Sequence, residues 1–353
     1  MNKKKIAVIF GGRSPEYPVS LESAAAVLQN LDLDRFSPVM VGISREGDWY
    51  CFEGSVDALQ KDAWLNDADC APALLSPSRR DGGLLIFRQN QTERCPLDGI
   101  LPILHGGNGE DGTVQGLAEL SGVPLIGCGV LSSALCMDKH RAHLLAQSVG
   151  VDVPRSILLD VSAYKKNPHL PSSFAEETGF PVFVKPLRAG SSFGITRVLQ
   201  LSDLAQALDL AFQYDTQILL EEGIPGFEVG CAVMGREQLF TGMVDEIHLS
   251  EGFFDFTEKY TLKTSSIHVP ARILPSKAAE IQDTARLLYR AMDCSGFARV
   301  DMFLTPEGRI VFNEINTIPG FTEHSRYPGM MRAAGLSFRD LLTQIIESEV
   351  NAK

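Results

Sequence analysis

The sequence predicts an α/β domain with a parallel sheet, followed by two domains of α+β structure. The chain has 353 residues, which exceeds the length of one ordinary domain. Its first third alternates short apolar strands with helical patterns, as a parallel sheet requires. Its last third contains two predicted strands joined by a tight turn, which indicates a β-hairpin. We therefore expect three domains, at 1–127, 128–222 and 223–353.

The first elements are a strand, a glycine turn and a helix. Residues 4–10 form a β-branched apolar run that ends at two glycines, and residues 18–30 carry apolar side chains at helical spacing. Pro18 suits the start of this helix, because a proline there loses no hydrogen bond. Glu16 is then expected on the turn, near the carboxyl end of the strand.

The remaining elements follow from the same periodicities. Residues 53–97 are polar and rich in Gly, Pro and Ser, so we expect irregular structure there. One helical pattern runs from Ser132 to about Ser148. Further strands are predicted at 38–43, 98–104, 156–159, 182–185, 216–222, 228–234, 241–247, 297–304 and 309–315, and further helices at 113–122, 277–292 and 337–349.

Composition excludes several classes of protein. A formal net charge of -12 repels nucleic acid and anionic lipid, so neither is an expected partner. The apolar run after the N-terminal lysines is too short for a signal sequence, and no stretch approaches the roughly 18 apolar residues of a membrane span. The seven cysteines are scattered without a Cys-x-x-Cys pair, which makes disulfides and zinc improbable. We expect a cytoplasmic protein.

The strongest motif is RVDMF at 299–303, followed by a turn and NEIN at 313–316. The turn places Asp301 and Glu314 on facing strands, and the two-residue period of a strand puts Glu314 and Asn316 on one side. Carboxylate and amide oxygens are the ligands that Mg²⁺ prefers, with waters and substrate phosphates completing its shell. The alternative is an exposed hairpin, but acidic residues inside apolar strands favour a magnesium site. Such a site could hold two ions, and it could take Mn²⁺ in place of Mg²⁺.

A second motif, VFVKPLRAGSSFGI at 182–195, is an apolar strand that ends in a lysine and a Gly/Ser-rich loop. Lys185 can reach a phosphate, and the backbone N–H groups and hydroxyls of Ser191 and Ser192 can surround it. The pattern is neither a Walker A loop nor the dinucleotide fingerprint. A surface turn with an incidental lysine is the alternative.

Two further segments carry polar groups that could face a ligand. HGGNGEDG at 105–112 follows an apolar strand and presents His105, whereas its two carboxylates are expected to cap the next helix. His140 and His143, one helical turn apart, could suggest a metal site, but without further ligands they are expected to be solvated. FFDFTEKYTLK at 253–263 is either a packed hairpin tip or a mobile loop that brings Lys259 and Tyr260 to a reacting centre.

Together these motifs resemble the D-alanine:D-alanine ligase family of the ATP-grasp superfamily, in the order in which that family has them. GGRSPEYPVSLESA, LHGGNGEDGTVQG, MDKHRA, VKPLRAGSSFGI, GFEVGCAV, EKY, RVDMF and NEINTIPGFTEHSRYP form the series. The resemblance implies a three-domain ATP-grasp fold with an N-terminal pre-ATP-grasp domain. It also implies a homodimer that joins D-amino acids, with ATP and Mg²⁺, in peptidoglycan precursor synthesis.

The resemblance also implies roles for individual residues. The residues implied for ATP are Lys139, Lys185, Ser191, Ser192, Glu221, Glu222, Ile224, Glu228, Lys259 and Asn313, and those for magnesium are Asp301, Glu314 and Asn316. Glu16 and His105 are implied for the first D-alanine, with Lys259 reaching a substrate carboxylate and Ser325 holding that of the second substrate. Glu16, Ser191 and Tyr260 resemble the triad that ties the family's loops together.

The chemistry suits these residue types. Magnesium and three lysines would offset the negative charge of a carboxylate attacking ATP. The resulting acyl phosphate is attacked by an amine, and Arg299 with the backbone N–H of Gly320 would stabilise the tetrahedral oxyanion. The proton of that amine could pass to the developing phosphate or to the Tyr260 network, and the sequence does not choose between them.

The identity of the second substrate depends on one departure from the family. Arg326 follows Ser325 where D-alanine-adding members more often have an apolar residue, and this resembles D-alanine:D-serine ligases of vancomycin resistance. An arginine there could donate a hydrogen bond to a serine hydroxyl. Lys259 and Tyr260 argue against the D-lactate-adding branch. We expect D-alanine as the second substrate, with D-serine as the alternative.

Three other classes compete with this hypothesis. A nicotinamide-dependent oxidoreductase would fit the N-terminal strand and glycines, but the chain lacks G-x-G-x-x-G and the acidic cluster would be unexplained. A regulator that lost the chemistry would not need a competent side chain at every site. Another ATP-grasp ligase is disfavoured by HGGNGEDG and EKY.

Overall fold

A computed structural model of the chain describes residues 3–66, 68, 70–89, 91–190, 193–249 and 265–351. These residues form three β-sheets flanked by helices, so the predicted α/β and α+β classes are confirmed. Within them, no helix combines the length and the apolar character that crossing a membrane requires.

The first sheet has seven strands, and its parallel part is the one predicted. Strand β1 (Lys4–Gly11) pairs in parallel with β2 (Phe36–Ile43) on one side and β7 (Gly99–Pro102) on the other. Side chains of β1 alternate between two apolar clusters, one reaching helix α1 (Tyr17–Asn30) and the other reaching helix α3 (Thr113–Ser121). A strand with both faces covered explains the unbroken apolar run.

The prediction of irregular structure over residues 53–97 was wrong. The segment contains three antiparallel strands that extend the sheet. Two of them are short apolar runs between polar turns and the third is polar and almost wholly exposed, so no long periodic pattern marks them. The order across the sheet is β6-β5-β4-β3-β2-β1-β7. The added elements are β3 (Trp49–Phe52), α2 (Val56–Gln60), β4 (Cys70–Leu75), β5 (Gly83–Arg88) and β6 (Gln91–Pro96).

The predicted helix from Ser132 to Ser148 is two helices. The first helix ends before Asp138, whose backbone is extended. The side chain of Asp138 accepts a hydrogen bond from the N–H of Arg141, as an N-cap does. The break starts a new helix at Lys139, so that lysine lies at a helix N-terminus. The two helices are α4 (Val130–Met137) and α5 (Lys139–Ser148).

A four-stranded antiparallel sheet follows, in the order β10-β9-β11-β8. Strand β9 pairs with β11 so that Lys185 lies opposite Leu219, and Phe183 lies opposite Glu221. The elements of this part are β8 (Ser156–Asp160), α6 (Val161–Lys166), α7 (Leu170–Thr178), β9 (Val182–Pro186), β10 (Thr196–Val198), α8 (Leu201–Ala211) and β11 (Gln217–Glu222).

The third sheet carries the acidic hairpin. Its elements are β12 (Phe227–Gly235), β13 (Leu239–Thr241), β14 (Asp245–Leu249), β15 (Ser265–His268), α9 (Pro275–Ala291), β16 (Phe297–Leu304), β17 (Ile310–Asn316), α10 (Arg326–Ala333) and α11 (Phe338–Val350). The single strand predicted at 241–247 is therefore two strands, because the chain leaves β12 after Thr241 and returns to it at Asp245. Helices α10 and α11 share a core with α1 and β1.

Candidate active site

The acidic hairpin brings its polar side chains together as predicted from the two-residue period. Asp301 of β16 lies directly opposite Glu314 of β17, and Arg299 lies opposite Asn316. The register shifts between Asp301 and Met302, so that Asn313 is an extra residue on β17. The irregularity lies beside the acidic pair, where it can re-aim the neighbouring side chains.

Arg299 and Asn316 both bind the carboxylate of Asp301. Arg299 Nε lies 2.8 Å from Oδ1 and Nη2 lies 2.7 Å from Oδ2, and Asn316 Nδ2 lies 2.9 Å from Oδ2. Burial would lower the pKa of Arg299, but the charge of Asp301, its hydrogen bonds to Arg299 and the charge of Asp245 together raise it. The donor set of two carboxylates and one amide oxygen fits Mg²⁺, which favours oxygen ligands.

A cavity of about 690 Å³ lies between the second and third sheets. Lys139 and Lys185 reach it with nearly buried side chains, as cations placed for phosphates would. Lys139 Nζ donates to the carbonyl of Ala189 at 2.9 Å, and Lys185 forms an ion pair with Glu221. The other predicted nucleotide residues on its wall are Glu222, Ile224, Glu228 and Asn313.

His143 lies behind this cavity, so the expectation that it is solvated was wrong. Its Nε2 donates to the carbonyl of Asn313 at 2.9 Å, and its Nδ1 lies 3.6 Å from Glu221 Oε1. Burial lowers the pKa of His143. Burial would raise the pKa of Glu221, but the neighbouring charges, above all that of Lys185, together with its hydrogen bond to Lys185 lower that pKa. The imidazole thus lies between β11 and the acidic hairpin and is hydrogen-bonded to the hairpin.

A second cavity, of about 270 Å³, lies between the first sheet and the acidic hairpin. Glu16 is the residue before α1, but its side chain makes no capping hydrogen bond and lines this cavity instead. A Cβ at Gly106 would lie 2.5 Å from Glu16 Oε2, and one at Gly190 would lie 2.9 Å from it. Glycine at both positions therefore lets two loops approach this carboxylate.

Glu110 lines the same cavity, which corrects the expectation that it caps helix α3. Its Oε2 accepts from the N–H of Gly106 at 2.9 Å and its Oε1 from the N–H of Ile318 at 3.1 Å. Burial and the nearby Glu16 raise the pKa of Glu110 to about 8. Asp111 does bind the first N–H of α3, at Thr113, with a distance of 3.0 Å.

His105 shares that wall. Its Nδ1 donates to the carbonyl of Ile318 at 3.0 Å, and burial lowers its pKa, which favours the neutral ring. Since Nδ1 then carries the only proton, Nε2 is an acceptor. It is buried and has no hydrogen-bond partner among the described residues. A ligand N–H entering the cavity could satisfy it.

Arg326 is held by carboxylates on the wall of the second cavity. Its Nε and Nη2 bind Asp245 at 2.7 and 2.8 Å, its Nη1 binds Glu228 at 2.6 Å, and Nη2 lies 3.3 Å from Asp301. Burial would lower the pKa of Arg326, but Asp245 and Asp301 raise it. A Cβ at Gly230 would lie 2.7 Å from Asp245 Oδ1, so glycine there makes room for the pair.

Ser325 and Gly320 face each other in the same loop. A Cβ on Gly320 would lie 2.8 Å from Ser325 Oγ, and that oxygen accepts from the N–H of Thr322 at 3.0 Å. Four predicted site residues lie outside the described residues: Ser191, Ser192, Lys259 and Tyr260.

Sequence reasoning missed three residues that the structure brings into the site: Asp245, Glu110 as a cavity residue, and His143. Asp245 and Glu246 are acidic residues at the start of a buried strand, which is a signal of the kind that identified Asp301. No local signal distinguished Glu110 from Asp111, because their difference depends on a contact more than 200 residues away.

Two family models cover most of the chain. One described as D-ala D-ala ligase N-terminus matches residues 5–128, and one described as D-ala D-ala ligase C-terminus matches residues 145–347.

Similar proteins match the chain over nearly its whole length. The vancomycin C-type resistance protein VanC1 of Enterococcus gallinarum is 44% identical and covers 97% of each chain. A D-alanine–D-alanine ligase of Caldicellulosiruptor bescii is 39% identical over 98% of this chain and 95% of its own. The crystal structure of the VanG D-Ala:D-Ser ligase from Enterococcus faecalis is 49% identical, with a TM-score of 0.90 over 99% of this chain and all of that one.

Proposed function

The chain belongs to the D-alanine–D-alanine ligase family, and we propose that it joins D-alanine to a second D-alanine through a D-alanyl phosphate, with release of ADP and phosphate. Its fold is the ATP-grasp fold of that family, and it is an ATP-dependent ligase. The dipeptide would serve peptidoglycan precursor synthesis.

One observation carries this proposal: the two cavities meet at Lys139, Ala189 and Glu314, which line both. A nucleotide in the larger cavity would therefore direct its terminal phosphate toward the smaller one. The smaller cavity is sized for small substrates and is lined by Glu16, whose carboxylate suits an ammonium group. Phosphoryl transfer at the junction is the reaction that this arrangement supports.

Asp301, Glu314 and Asn316 would hold Mg²⁺, which offsets the charge of the phosphates. Lys139 and Lys185 add positive charge to the nucleotide cavity, and the Ser191, Ser192 and Lys259 assignments remain predictions. Glu221, Glu222 and Ile224 would bind the adenine and Glu228 the ribose. Two ions per site, as in other phosphoryl-transfer centres, are part of the proposal.

For the ligation step, Arg299 and the N–H of Gly320 would stabilise the oxyanion that forms when the amine attacks the acyl phosphate. Both residues line the smaller cavity. Ser325 would hold the carboxylate of the attacking amino acid, and Glu16 with Ser191 and Tyr260 would tie the loops together above the substrates.

D-Serine is the second candidate for the attacking substrate. The observation that favours it is the buried pair of Arg326 and Asp245 beside Ser325, which places polar groups where an apolar wall would suit D-alanine. The guanidinium is largely engaged by carboxylates, so its remaining Nη1 hydrogen would have to meet the serine hydroxyl.

The deciding experiment incubates the protein with ATP, Mg²⁺ and D-alanine, alone or with equimolar D-serine or D-lactate, and identifies products by mass spectrometry. We expect ADP and D-alanyl-D-alanine, and a dominant D-alanyl-D-serine product in the mixture would assign the second candidate. If ADP forms without any D-alanyl product, the proposed reaction is wrong. L-Alanine in place of D-alanine is the matched control.

We also propose the domain bounds, a homodimeric state and a cytoplasmic location. The domain bounds 1–127, 128–222 and 223–353 are supported by the grouping of strands into three sheets. A homodimer would be detected by sedimentation at micromolar concentration. Dependence on ATP and small cytosolic metabolites supports a cytoplasmic location.

A further inference from the structure

We propose that Glu110, His105 and Ser23 are positioning residues that hold the loop 317–321 from both ends and thereby aim the N–H of Gly320 at the ligation intermediate. This inference rests on the proposed function, because it concerns the second step of that reaction. None of the three residues needs to touch a substrate to act in this way.

The first tether holds both polar groups of the Ile318 backbone. Glu110 Oε1 accepts from its N–H at 3.1 Å, and His105 Nδ1 donates to its carbonyl at 3.0 Å. Both side chains come from the loop after β7, and the other carboxylate oxygen of Glu110 binds the N–H of Gly106 in that loop. The first sheet therefore fixes the orientation of Ile318 at two points.

The second tether holds the residue after Gly320. The N–H of Phe321 donates to Ser23 Oγ at 3.3 Å, and Ser23 lies fully buried in helix α1. Phe321 is itself buried against aromatic side chains, including Phe297 at a ring distance of 5.1 Å. The loop is thus anchored to the N-terminal part of the chain on both sides of Gly320.

Between the tethers the chain has little freedom except at Gly320. Pro319 follows Ile318, and its ring restricts φ to about -65°. Glycine would otherwise be the most permissive residue of the loop. With Ile318 and Phe321 both held, the peptide that carries the Gly320 N–H can rotate only a little. An oxyanion donor acts through its fixed direction, so such anchoring matters most when the oxyanion forms.

The test compares Glu110→Gln with wild type in single-turnover measurements that follow ADP and dipeptide separately. The amide can accept only one of the two N–H groups, and its own N–H₂ meets the other. Either the hydrogen bond to Ile318 or the one that anchors the side chain to Gly106 is therefore lost, without a change of shape, and the first tether is weakened. We expect dipeptide formation to slow about 10-fold or more, with ADP formation and the KM for ATP within about twofold of wild type. Ser23→Ala should likewise slow dipeptide formation while leaving ADP formation close to the wild-type rate.

Asp111→Asn is the matched control, since Asp111 lies in the same loop but, among the residues that the structure describes, forms hydrogen bonds only with Asn108 and Thr113. It should leave both steps unchanged. The proposal is overturned if Glu110→Gln forms dipeptide at the wild-type rate, or if its ADP and dipeptide rates fall together in proportion to lost stability. A wild-type protein that makes no dipeptide would instead refute the proposed function.

Discussion

Arg326 and Asp245 form a two-point ion pair, with Nε and Nη2 of the guanidinium 2.7 and 2.8 Å from the two carboxylate oxygens. Asp245 is fully buried and Arg326 nearly so. Breaking such a pair from one side leaves an uncompensated charge in the interior.

Arg326→Leu should therefore lower the free energy of unfolding by about 3–5 kcal/mol. Urea denaturation measures this, and the m-value should stay unchanged. In Arg326→Leu/Asp245→Asn the buried charge is also gone, so part of the stability should return. If the single variant is as stable as wild type, Asp245 is not held in the way described.

Lys185→Met should weaken the binding of ADP and Mg²⁺ by roughly 10- to 100-fold, because a charged hydrogen bond to phosphate contributes about 1.5–3 kcal/mol. Titration calorimetry measures the affinity. Lys165→Met, an exposed lysine at the end of α6, is the matched control and should bind as wild type does. Equal affinity in Lys185→Met would remove this residue from the nucleotide site.

Arg299→Ala should retain nucleotide binding and lose about 10²- to 10³-fold in turnover, the effect typical of removing one oxyanion donor. Arg299→Lys keeps the charge but loses the two-point contact with Asp301, so it should recover turnover only in part. Steady-state kinetics with both variants provides the measurement. Turnover near the wild-type level in Arg299→Ala would contradict the assigned role.

Glu110 should make stability depend on pH. Burial and Glu16 raise its pKa from an ordinary value of 4.5 to about 8. Between these values the folded protein holds a proton that the unfolded chain has released, so this group lowers the free energy of unfolding as pH rises.

Glu110→Gln removes the titration. As the pH rises from about 5 to about 8, the free energy of unfolding of wild type should therefore fall relative to that of this variant. Urea titrations at several pH values measure the slope, which is independent of any constant effect of the substitution. Parallel pH profiles for the two proteins would show that Glu110 keeps an ordinary pKa.

The regular elements were largely predictable because their signals are local. The run at β1, the helical spacing of α1 and the strands around Asp301 are periodic patterns within a few residues. The predictions failed at residues 53–97 and at Asp138. Polar edge strands lack a strong period, and a helix break that depends on one capping residue is hidden inside a continuous helical pattern.

The candidate site divides in the same way. Asp301, Glu314 and Asn316 could be placed together because a short turn joins their strands. His143 and Arg326 could not be placed, since Glu221 lies 78 positions from His143 and Asp245 lies 81 positions from Arg326. Their pattern in the sequence is that of ordinary polar helix residues.

The sequence alone determined the acidic hairpin, the lysine at the end of β9 and the order of motifs that identifies the family, because each is written in neighbouring residues. Only the tertiary structure decided that Glu110 turns inward to Ile318 while Asp111 caps a helix, and that Arg326 is held by Asp245. Such choices depend on which buried groups find partners after the sheets pack, and burial makes an unpaired charge or N–H costly.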